Sequence, residues 1–296
     1  MDWQQLLGFY QVAKLGSFTK AAEATLRTQP ALSQQVKALE EELDCQLLER
    51  LGKRRLRLTL FGEKLLDFAE ALFKNFETFK EELNQIKGLN KGRLRLAAPF
   101  TTIYHLLRDP LNTYIRAFPQ VELTILDRPQ SAVLALLKNG DIDFGFTRAS
   151  LAPPELATLK WKPVETVLMT PLGHPLTGLK RVTLKQMAKY PLILPPKNHP
   201  ARKKLEDYFR KNRIDYHIIL ESSNVELSSV YVEMGLGLSI STMARDLPTV
   251  GPRKLAFIPL SHYFKTDFVA IVMRKDQVLT PFKTAFIDIL LGEPRN

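Results

Sequence analysis

Residues 16–62 decide the fold of the first part of the chain: GSFTKAAEATLRTQPALSQQVKALEEELDCQLLERLGKRRLRLTLFG. Ser17 is a favourable N-cap residue and predicts a short helix over about 18–25. Thr28 is a second N-cap residue, and Pro30 falls in the first turn of the helix that follows, where its missing N–H costs nothing. The stretch therefore predicts two helices joined by a tight turn.

The second of these helices has two distinct faces. A 4-3-4 spacing of leucine and valine predicts one buried stripe, made of Leu32, Val36, Leu39 and Leu43. The opposite face then presents Gln29, Ser33, Gln34 and Lys37. Glutamine can pair bidentately with adenine and lysine neutralises phosphate, so this face has the chemistry that DNA reading requires. An ordinary solvated helix face is an equally weighted alternative for the helix taken alone.

A basic segment follows the second helix. Arg50, Lys53, Arg54 and Arg55 precede an alternation of leucines at 56, 58 and 60, which predicts a small β-hairpin with a cationic tip. Such cations contribute salt-dependent affinity when they neutralise phosphates. A basic run is usually a solubilising surface, but beside two helices of this kind it favours a winged helix-turn-helix that enters a DNA major groove.

Residues 62–87 contain few helix breakers and have a heptad spacing. The apolar positions fall at 4-3-4-3-4-3 intervals and comprise Leu65, Ala69, Leu72, Phe76, Phe79, Leu83 and Ile86. About three heptads with flanking charges favour a helix that pairs with another helix. The alternative is that this helix packs on its own domain. The segment GLNKG, residues 88–92, predicts the end of the helix and a domain boundary.

The rest of the chain alternates strands and helices. Strands are predicted over 93–98, 121–126 and 143–147, with helices over 102–118 and 131–139 between them. A second set begins near Val164 with segments at 167–170, 182–187, 192–194, 202–212, 216–220, 227–234 and 238–240. Segments 268–273 and 282–291 return to the first set. This alternation predicts parallel sheets covered by helices, in two α/β lobes that the chain crosses twice.

Ligands of such sheets bind beyond the carboxyl ends of strands, in the cleft between the lobes. Hydroxyl groups and helix N-termini at these places suit a carboxylate or an oxyanion. The candidates are Pro99, Phe100, Thr101, Thr102 and Thr147 from the first lobe, and Pro196, His199, Ser222 and Asn224 from the second. Ordinary helix capping is an alternative for each of them taken singly.

Charge is distributed unevenly along the 296 residues. The formal net charge is +11, but residues 1–61 hold nine Lys and Arg against seven Asp and Glu, and residues 62–90 hold four against six. The excess therefore lies in residues 91–296. Part of it is on the predicted helix that contains Arg202, Lys203 and Lys204, where a solvated surface is the plain interpretation. Attraction of an anionic effector, or of bent DNA, is the alternative.

Several function classes are disfavoured by composition. The single cysteine, Cys45, cannot form an internal disulfide. No apolar run reaches membrane-spanning length and no secretory signal is recognisable, so a cytoplasmic protein without membrane contact is expected. The five histidines, at 105, 174, 199, 217 and 262, lack metal-ligand spacing, and no nucleophile or phosphate-loop motif occurs. We therefore expect no enzyme activity, no metal and no cofactor.

Four segments together resemble the LysR-type transcriptional regulators. They are GSFTKAA at 16–22, TQPALS at 28–33, LEEELDCQLLER at 39–50 and LTLFG at 58–62. The chain departs from the family pattern at Thr28 for Ser, Asp44 for Gly and Leu48 for Phe. Of these Asp44 matters most, since the usual glycine supplies a positive φ at a helix end, although aspartate tolerates that conformation better than most residues. NGDIDFGF, GHPL and EMGLGLSIS, in residues 139–241, also resemble family signatures.

The resemblance implies a domain plan. Residues 1–61 would form a winged helix-turn-helix DNA-binding domain, 62–90 a linker and dimerisation helix, and 91–296 an effector-binding regulatory domain like a periplasmic binding protein. Lobe I would comprise about 91–163 and 267–296, and lobe II about 164–266. The fold class is thus α/β overall.

The resemblance also implies function and partners. Residues expected to contact DNA are Thr19, Thr28, Gln29, Pro30, Ser33, Gln34, Lys37, Arg50, Lys53, Arg54 and Arg55. The expected partners are a pseudo-palindromic double-stranded operator, a second copy of the chain in a homodimer or homotetramer, RNA polymerase, and a small effector of the organic acid or oxyanion class. The alternative is an architectural DNA-binding protein that works without a ligand.

Overall fold

A computed structural model describes residues 1–51, 55–87, 91–197, 199–244 and 253–292. The chain divides into two compact units, residues 1–89 and 90–296, which are described separately. Within the described ranges, no helix is both long enough and apolar enough to cross a membrane.

Three helices open the first unit: α1 at Trp3–Leu15, α2 at Phe18–Ala24 and α3 at Gln29–Leu43. The predicted caps are present, because the Ser17 side chain accepts a hydrogen bond from Lys20 N and the Thr28 side chain accepts one from Ala31 N. Helix α1 was not among the predicted elements. It begins with a capping box at Asp2 and contributes Phe9 and Val12 to the core.

Helix α3 packs its predicted stripe on this core, with one exception. Leu32, Val36 and Leu39 are buried, whereas Leu43 is 39% exposed, so the stripe ends one turn earlier than predicted. The next residue, Asp44, ends the helix in the left-handed region with φ of 50°. Asp44 thus adopts the left-handed conformation that glycine would supply in the family pattern which the sequence resembles.

A β-hairpin follows, formed by antiparallel strands β1 at Leu48–Leu51 and β2 at Arg55–Leu58. The Glu40 carboxylate of α3 accepts hydrogen bonds from the amides of Leu47 and Leu48, which fixes the entry into the hairpin. Gly62 is needed where the hairpin returns, because a Cβ atom there would lie 2.1 Å from the Leu47 carbonyl oxygen. The wing is therefore held from both ends by residues outside it.

The long helix α4 spans Leu60–Ile86, starting two residues before the predicted segment. Its first half packs on its own unit, with Ala69 buried and the Phe73 ring 4.9 Å from both the Trp3 and the Tyr10 rings. Phe76 is 44% exposed but still packs on Trp3, with 5.0 Å between ring centroids. The later seam positions are more exposed, at 52% for Phe79 and 83% for Ile86. The alternative of packing on the same domain thus describes the helix as far as Phe76.

The second unit contains nine described strands: β3 at Gly92–Ala98, β4 at Val121–Asp127, β5 at Phe144–Arg148, β6 at Leu156–Pro171, β7 at Leu192–Leu194, β8 at Ile218–Glu221, β9 at Leu238–Ala244, β10 at Leu255–Pro259 and β11 at Asp267–Arg274. Its described helices are α5 at Phe100–Thr102, α6 at Arg108–Ala117, α7 at Gln130–Asn139, α8 at Leu184–Met187, α9 at Pro200–Lys211, α10 at Val225–Glu233 and α11 at Pro281–Leu291. A π-helical turn at Ile103–Leu107 joins α5 to α6, where a single regular helix was predicted.

The strands form one sheet in the order β4-β3-β5-β11-β6-β9-β7-β8, and β10 pairs with β6. The outer pairs β3/β4, β3/β5, β7/β8 and β7/β9 are parallel. The prediction of parallel sheets is wrong for the middle, where β11 and β6 pair antiparallel with each other and with their other neighbours. These are the strands that cross between lobes, so they need no βαβ connection.

Strand β6 belongs to both lobes. Its residues Leu156–Val164 pair with β11, while Val164 and the residues after it pair with β9. Separate apolar cores lie on either side of this point. In the first lobe β3, β5 and β11 pack on α6 and α11, and in the second β7 and β9 pack on α8 and α9. The sheet thus provides a crossing point near Val164.

Helix α9 corrects one interpretation of the basic surface. Arg202 is only 1% exposed, and its guanidinium contacts Glu206 at 2.8 Å, Glu221 at 3.3 Å and the Pro195 carbonyl oxygen at 2.9 Å. Lys203 and Lys204 on the same helix are exposed, as predicted. Arg202 therefore forms structural ion pairs with Glu206 and Glu221, and it does not belong to a solvated basic face.

Candidate functional site

The first candidate site is the outer face of α3. Gln29, Pro30, Gln34 and Lys37 are exposed, and Ser33 is half-buried. The Lys37 ammonium lies 3.4 Å from the Glu41 carboxylate, with both side chains largely exposed, so water or another anion can replace that carboxylate. The face therefore offers amide, hydroxyl and ammonium groups without a competing buried partner.

Other predicted DNA contacts surround this face. Thr19 on α2 and Thr28 at the α3 N-cap are exposed. Arg50 and Arg55 lie on the two strands of the wing, while Lys53 and Arg54 fall outside the described residues. Arg57, which was not in the predicted set, is exposed on β2 and pairs in register with Glu49.

The second candidate site is a cavity of about 700 Å³ between the two lobes of the second unit. Lobe I contributes the residues after β3, the start of α7 and the end of β5. Lobe II contributes the residues after β7 and β8, and residues of strands β6 and β9 also line the cavity. The cavity is thus assembled from segments far apart in sequence.

Seven of the nine predicted effector residues line this cavity: Pro99, Thr101, Thr102, Thr147, Pro196, His199 and Ser222. The two others are placed elsewhere. The Phe100 ring stacks on Tyr104 with 5.4 Å between ring centroids, and the Asn224 side chain accepts a hydrogen bond from Leu227 N at the start of α10. For Asn224 the helix-capping alternative describes the geometry.

Hydroxyl groups dominate the polar lining. They come from Thr101, Thr102, Ser131, Thr147, Thr166, Ser222, Ser223, Ser241 and Thr242. Thr147 is 3% exposed, and its Oγ1 has no hydrogen-bond partner among the described residues. A buried hydroxyl without a partner costs free energy that a bound ligand can recover. Thr147 is therefore the cavity residue that would gain most clearly from a hydrogen bond to a ligand.

The charged lining is sparse. Arg148 is a cationic residue of the wall, and its Nε lies 3.0 Å from Asp267 Oδ2. Burial opposes ionisation of Asp267, but hydrogen bonds from the Ser150 hydroxyl and Phe268 N, together with Arg148, lower its pKa. Asp267 and the cavity-lining Arg148 thus form a charged pair.

Two histidines also line the cavity, and burial lowers the pKa of both. For His105 the nearby Glu226 carboxylate opposes this shift, while for His199 the positive charge of Arg148 adds to it. Both rings therefore favour the neutral form near pH 7. The described walls are uncharged over most of their area, which strengthens any contact with the Arg148 guanidinium.

Sequence reasoning missed several lining residues: His105, Gln130, Ser131, Arg148, Thr166, Ser241 and Thr242. Gln130, Ser131 and Arg148 follow or end strands, so the rule that selected Thr147 could have found them. Thr166 and Thr242 lie within strands β6 and β9, where no local pattern separates a cavity wall from a core. In the described part of the chain, no three His, Cys, Asp or Glu residues are grouped to hold a metal ion.

Fold and sites together define a DNA-reading head joined to a two-lobed ligand receptor. Residues 3–63 match the family described as "Bacterial regulatory helix-turn-helix protein, lysR family", and residues 87–295 match "LysR substrate binding domain". The chain belongs to the LysR family of transcriptional regulators, with a DNA-binding helix-turn-helix domain and an effector-binding domain.

Individual relatives have low sequence identity, but they align with nearly the whole chain. The transcriptional regulator Cbl of Escherichia coli is 25% identical over 291 residues, covering 98% of this chain and 92% of its own. The full-length structure of OxyR from Pseudomonas aeruginosa has a TM-score of 0.70 at 24% identity, covering 99% and 97% of the two chains. Full-length CbnR complexed with its target DNA has a TM-score of 0.61 at 20% identity, covering 99% and 100%.

Proposed function

We propose that this regulator binds a pseudo-palindromic operator through α3 and the wing, as an oligomer, and responds to a small anionic organic metabolite held between its lobes. The observation that supports this most directly is the hydroxyl-lined cavity, with the unpartnered Thr147 hydroxyl beside Arg148.

For DNA binding, the support comes from the α3 face. Gln34 and Ser33 supply base-reading groups, and Lys37, with the wing arginines, supplies phosphate contacts. The first 61 residues have nearly balanced charge, so a single head would bind weakly. Two DNA-binding domains on one operator would bind more tightly, and the exposed Phe79 and Ile86 of α4 offer an apolar face for joining two chains.

For the effector, cavity size and chemistry narrow the class. A cavity of about 700 Å³ is in the range that holds organic ligands, so an inorganic oxyanion would leave most of it empty. A carboxylate or oxyanion head can lie at Thr101, Thr102 and Thr147, near the first amides of α5 and near Arg148. Apolar lining such as Leu134, Val164 and Val269 suits an organic body.

A footprint of the purified protein on its own upstream region tests the whole proposal. We expect protection of two half-sites separated by a multiple of about 10 base pairs, and an altered pattern when one organic acid of a metabolite panel is present. A thermal-shift screen with the same panel should show stabilisation by that acid and no effect of it on a Thr147→Val variant. Equal protection of the upstream region and of unrelated DNA would contradict sequence-specific binding.

The remaining alternative is an architectural DNA-binding protein without a ligand. It predicts that no member of the panel changes the affinity for the operator or gives a thermal response. The hydroxyl-lined cavity favours the ligand-binding proposal, because a bound ligand can give the unpartnered Thr147 hydroxyl in its wall a hydrogen-bond partner. RNA polymerase is a further proposed partner, through which a bound regulator would act on transcription.

A further inference from the structure

Arg27 lies in the turn between α2 and α3, directly before the Thr28 N-cap, and is not among the residues expected to contact DNA. The turn is tight here, because Leu26 adopts a left-handed φ of 53° and Arg27 N donates a hydrogen bond of 2.9 Å to the Ala22 carbonyl oxygen. The Leu26 side chain is 95% exposed, whereas Arg27 is half-buried. The turn thus leaves Leu26 in solvent and places the Arg27 side chain against the domain.

The Arg27 guanidinium joins three segments of the first unit. Its Nη1 atom donates a hydrogen bond of 2.7 Å to Gln35 Oε1 on α3, and its Nη2 atom donates one to Gln4 Oε1 on α1. Both bonds are charge-assisted, and such bonds are roughly twice as strong as those between neutral groups. They span 8 and 23 positions of the sequence. One side chain therefore ties the turn to the first and the third helix.

The Gln35 amide lies in a close contact between α3 and α1. A Cβ atom on Gly8 of α1 would be 3.0 Å from Gln35 Oε1 and 3.0 Å from Leu32 Cδ1, so the two helices approach closely at this point. The space next to the amide is therefore restricted, and Arg27 holds the amide in it. Gln35 directly follows Gln34, one of the groups expected to read bases. A rotation of α3 about its axis that displaced Gln35 would displace Gln34 as well.

A direct contact with a DNA phosphate is the alternative role for Arg27. Among the described residues no carboxylate forms an ion pair with its guanidinium, so its positive charge is not neutralised by an acidic residue. Both Nη atoms, however, already donate to amide oxygens within the unit. A phosphate that took these donors would break the link from the turn to both helices. The geometry therefore favours a role within the unit, and the two roles predict different responses to salt.

We propose that Arg27 is a positioning residue for DNA recognition: it fixes the rotation of α3 against α1, so that Gln34 meets the bases in one orientation. The two glutamine contacts carry this effect. The inference rests on the proposed function, since it takes α3 as the helix that reads DNA. Recognition geometry has to be held within about 0.5 Å by the groups behind the contacting residues. A guanidinium suits this role better than an ammonium, because its donors are fixed in one plane.

Binding titrations of the full-length protein on operator and on scrambled DNA, at several salt concentrations, test this role. Arg27→Met keeps an unbranched apolar stem and removes every donor. We expect its affinity for the operator to fall about tenfold and its affinity for scrambled DNA to fall less than about twofold, so that discrimination between the two is reduced. The salt dependence of operator binding should stay as in the parent protein, because no phosphate contact is lost.

Lys37→Ala is the matched control, since it removes a cation of the same unit whose ion-pair partner, Glu41, lies on α3 itself. For this variant we expect weaker binding to both DNAs alike and a salt dependence reduced by about one phosphate. The same pattern in Arg27→Met would identify Arg27 as a phosphate contact and overturn the positioning role.

Gln35→Met separates position from charge, because it removes the acceptor on α3 and keeps the Arg27 cation. It should lose discrimination to the same extent as Arg27→Met, and the double variant should lose no more than either single variant. Additive losses would overturn the link between the two residues. Urea unfolding followed by Trp3 fluorescence, in a Trp161→Phe background, checks that each variant is folded. Gln35→Met alone decides the question if Arg27→Met does not fold.

Gln34→Ala distinguishes a failure of this inference from a failure of the proposed function. Reduced discrimination in Gln34→Ala, together with full discrimination in both Arg27→Met and Gln35→Met, would reject the positioning role and leave α3 as the reading helix. Full discrimination in Gln34→Ala would reject α3 as the reading helix, and the positioning role with it.

Discussion

The two units present their functional residues in opposite ways. In the DNA-reading unit, Gln29 to Lys37 lie within three turns of one helix, and local caps at Thr28 and Asp44 fix where that helix begins and ends. In the sensor unit, the cavity draws Thr102, Thr147, His199 and Thr242 from four segments in two lobes. The first site depends on local geometry, and the second on long-range packing. We therefore expect each variant to affect the unit in which it lies and not the other.

The largest expected effect is at Gly62, in the reading unit. Ala in place of Gly normally stabilises a helix by about 1 kcal/mol. Here the added Cβ would meet the Leu47 carbonyl, so we expect Gly62→Ala to cost roughly 3 kcal/mol of unfolding free energy. Urea unfolding followed by the fluorescence of Trp3, in a Trp161→Phe background, measures this unit alone.

The control for Gly62 is Gly178→Ala in the sensor. A Cβ there meets no atom within 4 Å, so the change should stay within about 0.5 kcal/mol, measured by Trp161 fluorescence in a Trp3→Phe background. Unchanged or increased stability of Gly62→Ala would show that α4 does not need its close approach to the Leu47 carbonyl.

A smaller loss is expected at Arg202, in the sensor. Arg202→Met removes a buried guanidinium and leaves Glu206, Glu221 and the Pro195 carbonyl without it. Because both carboxylates can regain water, we expect about 2–3 kcal/mol. Trp161 fluorescence in a Trp3→Phe background reports the loss. Lys203→Met, one residue along and exposed, should be neutral, and equal effects at both positions would contradict a buried role for Arg202.

Operator recognition tests the reading unit without unfolding it. Gln34→Ala should weaken specific binding by about 1–2 kcal/mol, roughly five- to thirtyfold, while dimerisation is kept. Lys37→Ala is the matched comparison, since loss of a phosphate contact should weaken all sequences alike and lower the salt dependence by about one phosphate. Titrations on operator and scrambled DNA distinguish the two patterns. Unchanged footprints for Gln34→Ala would remove α3 from the role of reading helix.

The smallest effect has the opposite sign. Thr147→Val replaces an unpartnered buried hydroxyl by a methyl group and should stabilise the ligand-free sensor by about 1 kcal/mol, while it abolishes the effector response. Ser228→Ala removes another buried, unpartnered hydroxyl that does not line the cavity. It should give a similar stabilisation with the response retained. A normal response in Thr147→Val would place the effector elsewhere.

Local chemistry explains why much of the reading unit was predictable. Caps, the proline of the first turn and the hairpin alternation act over four or five residues, so the sequence shows them directly. The role of Glu40 was not visible, since its carboxylate holds amides seven and eight residues away. Leu43 fits the apolar spacing but lies beyond the core, which only packing could show.

The sensor was predictable as alternating strands and helices but not in its crossing strands. Strand β6 runs through 16 residues and β10 pairs with it, yet only 167–170 was predicted, because half-buried strands at a crossing lack a clean alternation. The position of Arg202 in the interior and the π turn that contains His105 were equally hidden. Both depend on neighbours from other segments.

By itself the sequence determined the type of each unit: two capped helices and a basic hairpin, a heptad helix, and two crossed α/β lobes in a LysR-family chain. The tertiary structure decided which polar groups face each other, including the unpartnered Thr147, the buried Arg202 and the contact of His105 with Glu226 across the lobes. The physical reason is the separation along the sequence of the residues that interact. Helices, caps and turns are set by neighbours along the chain, whereas cavities and lobe contacts form only when distant segments pack together.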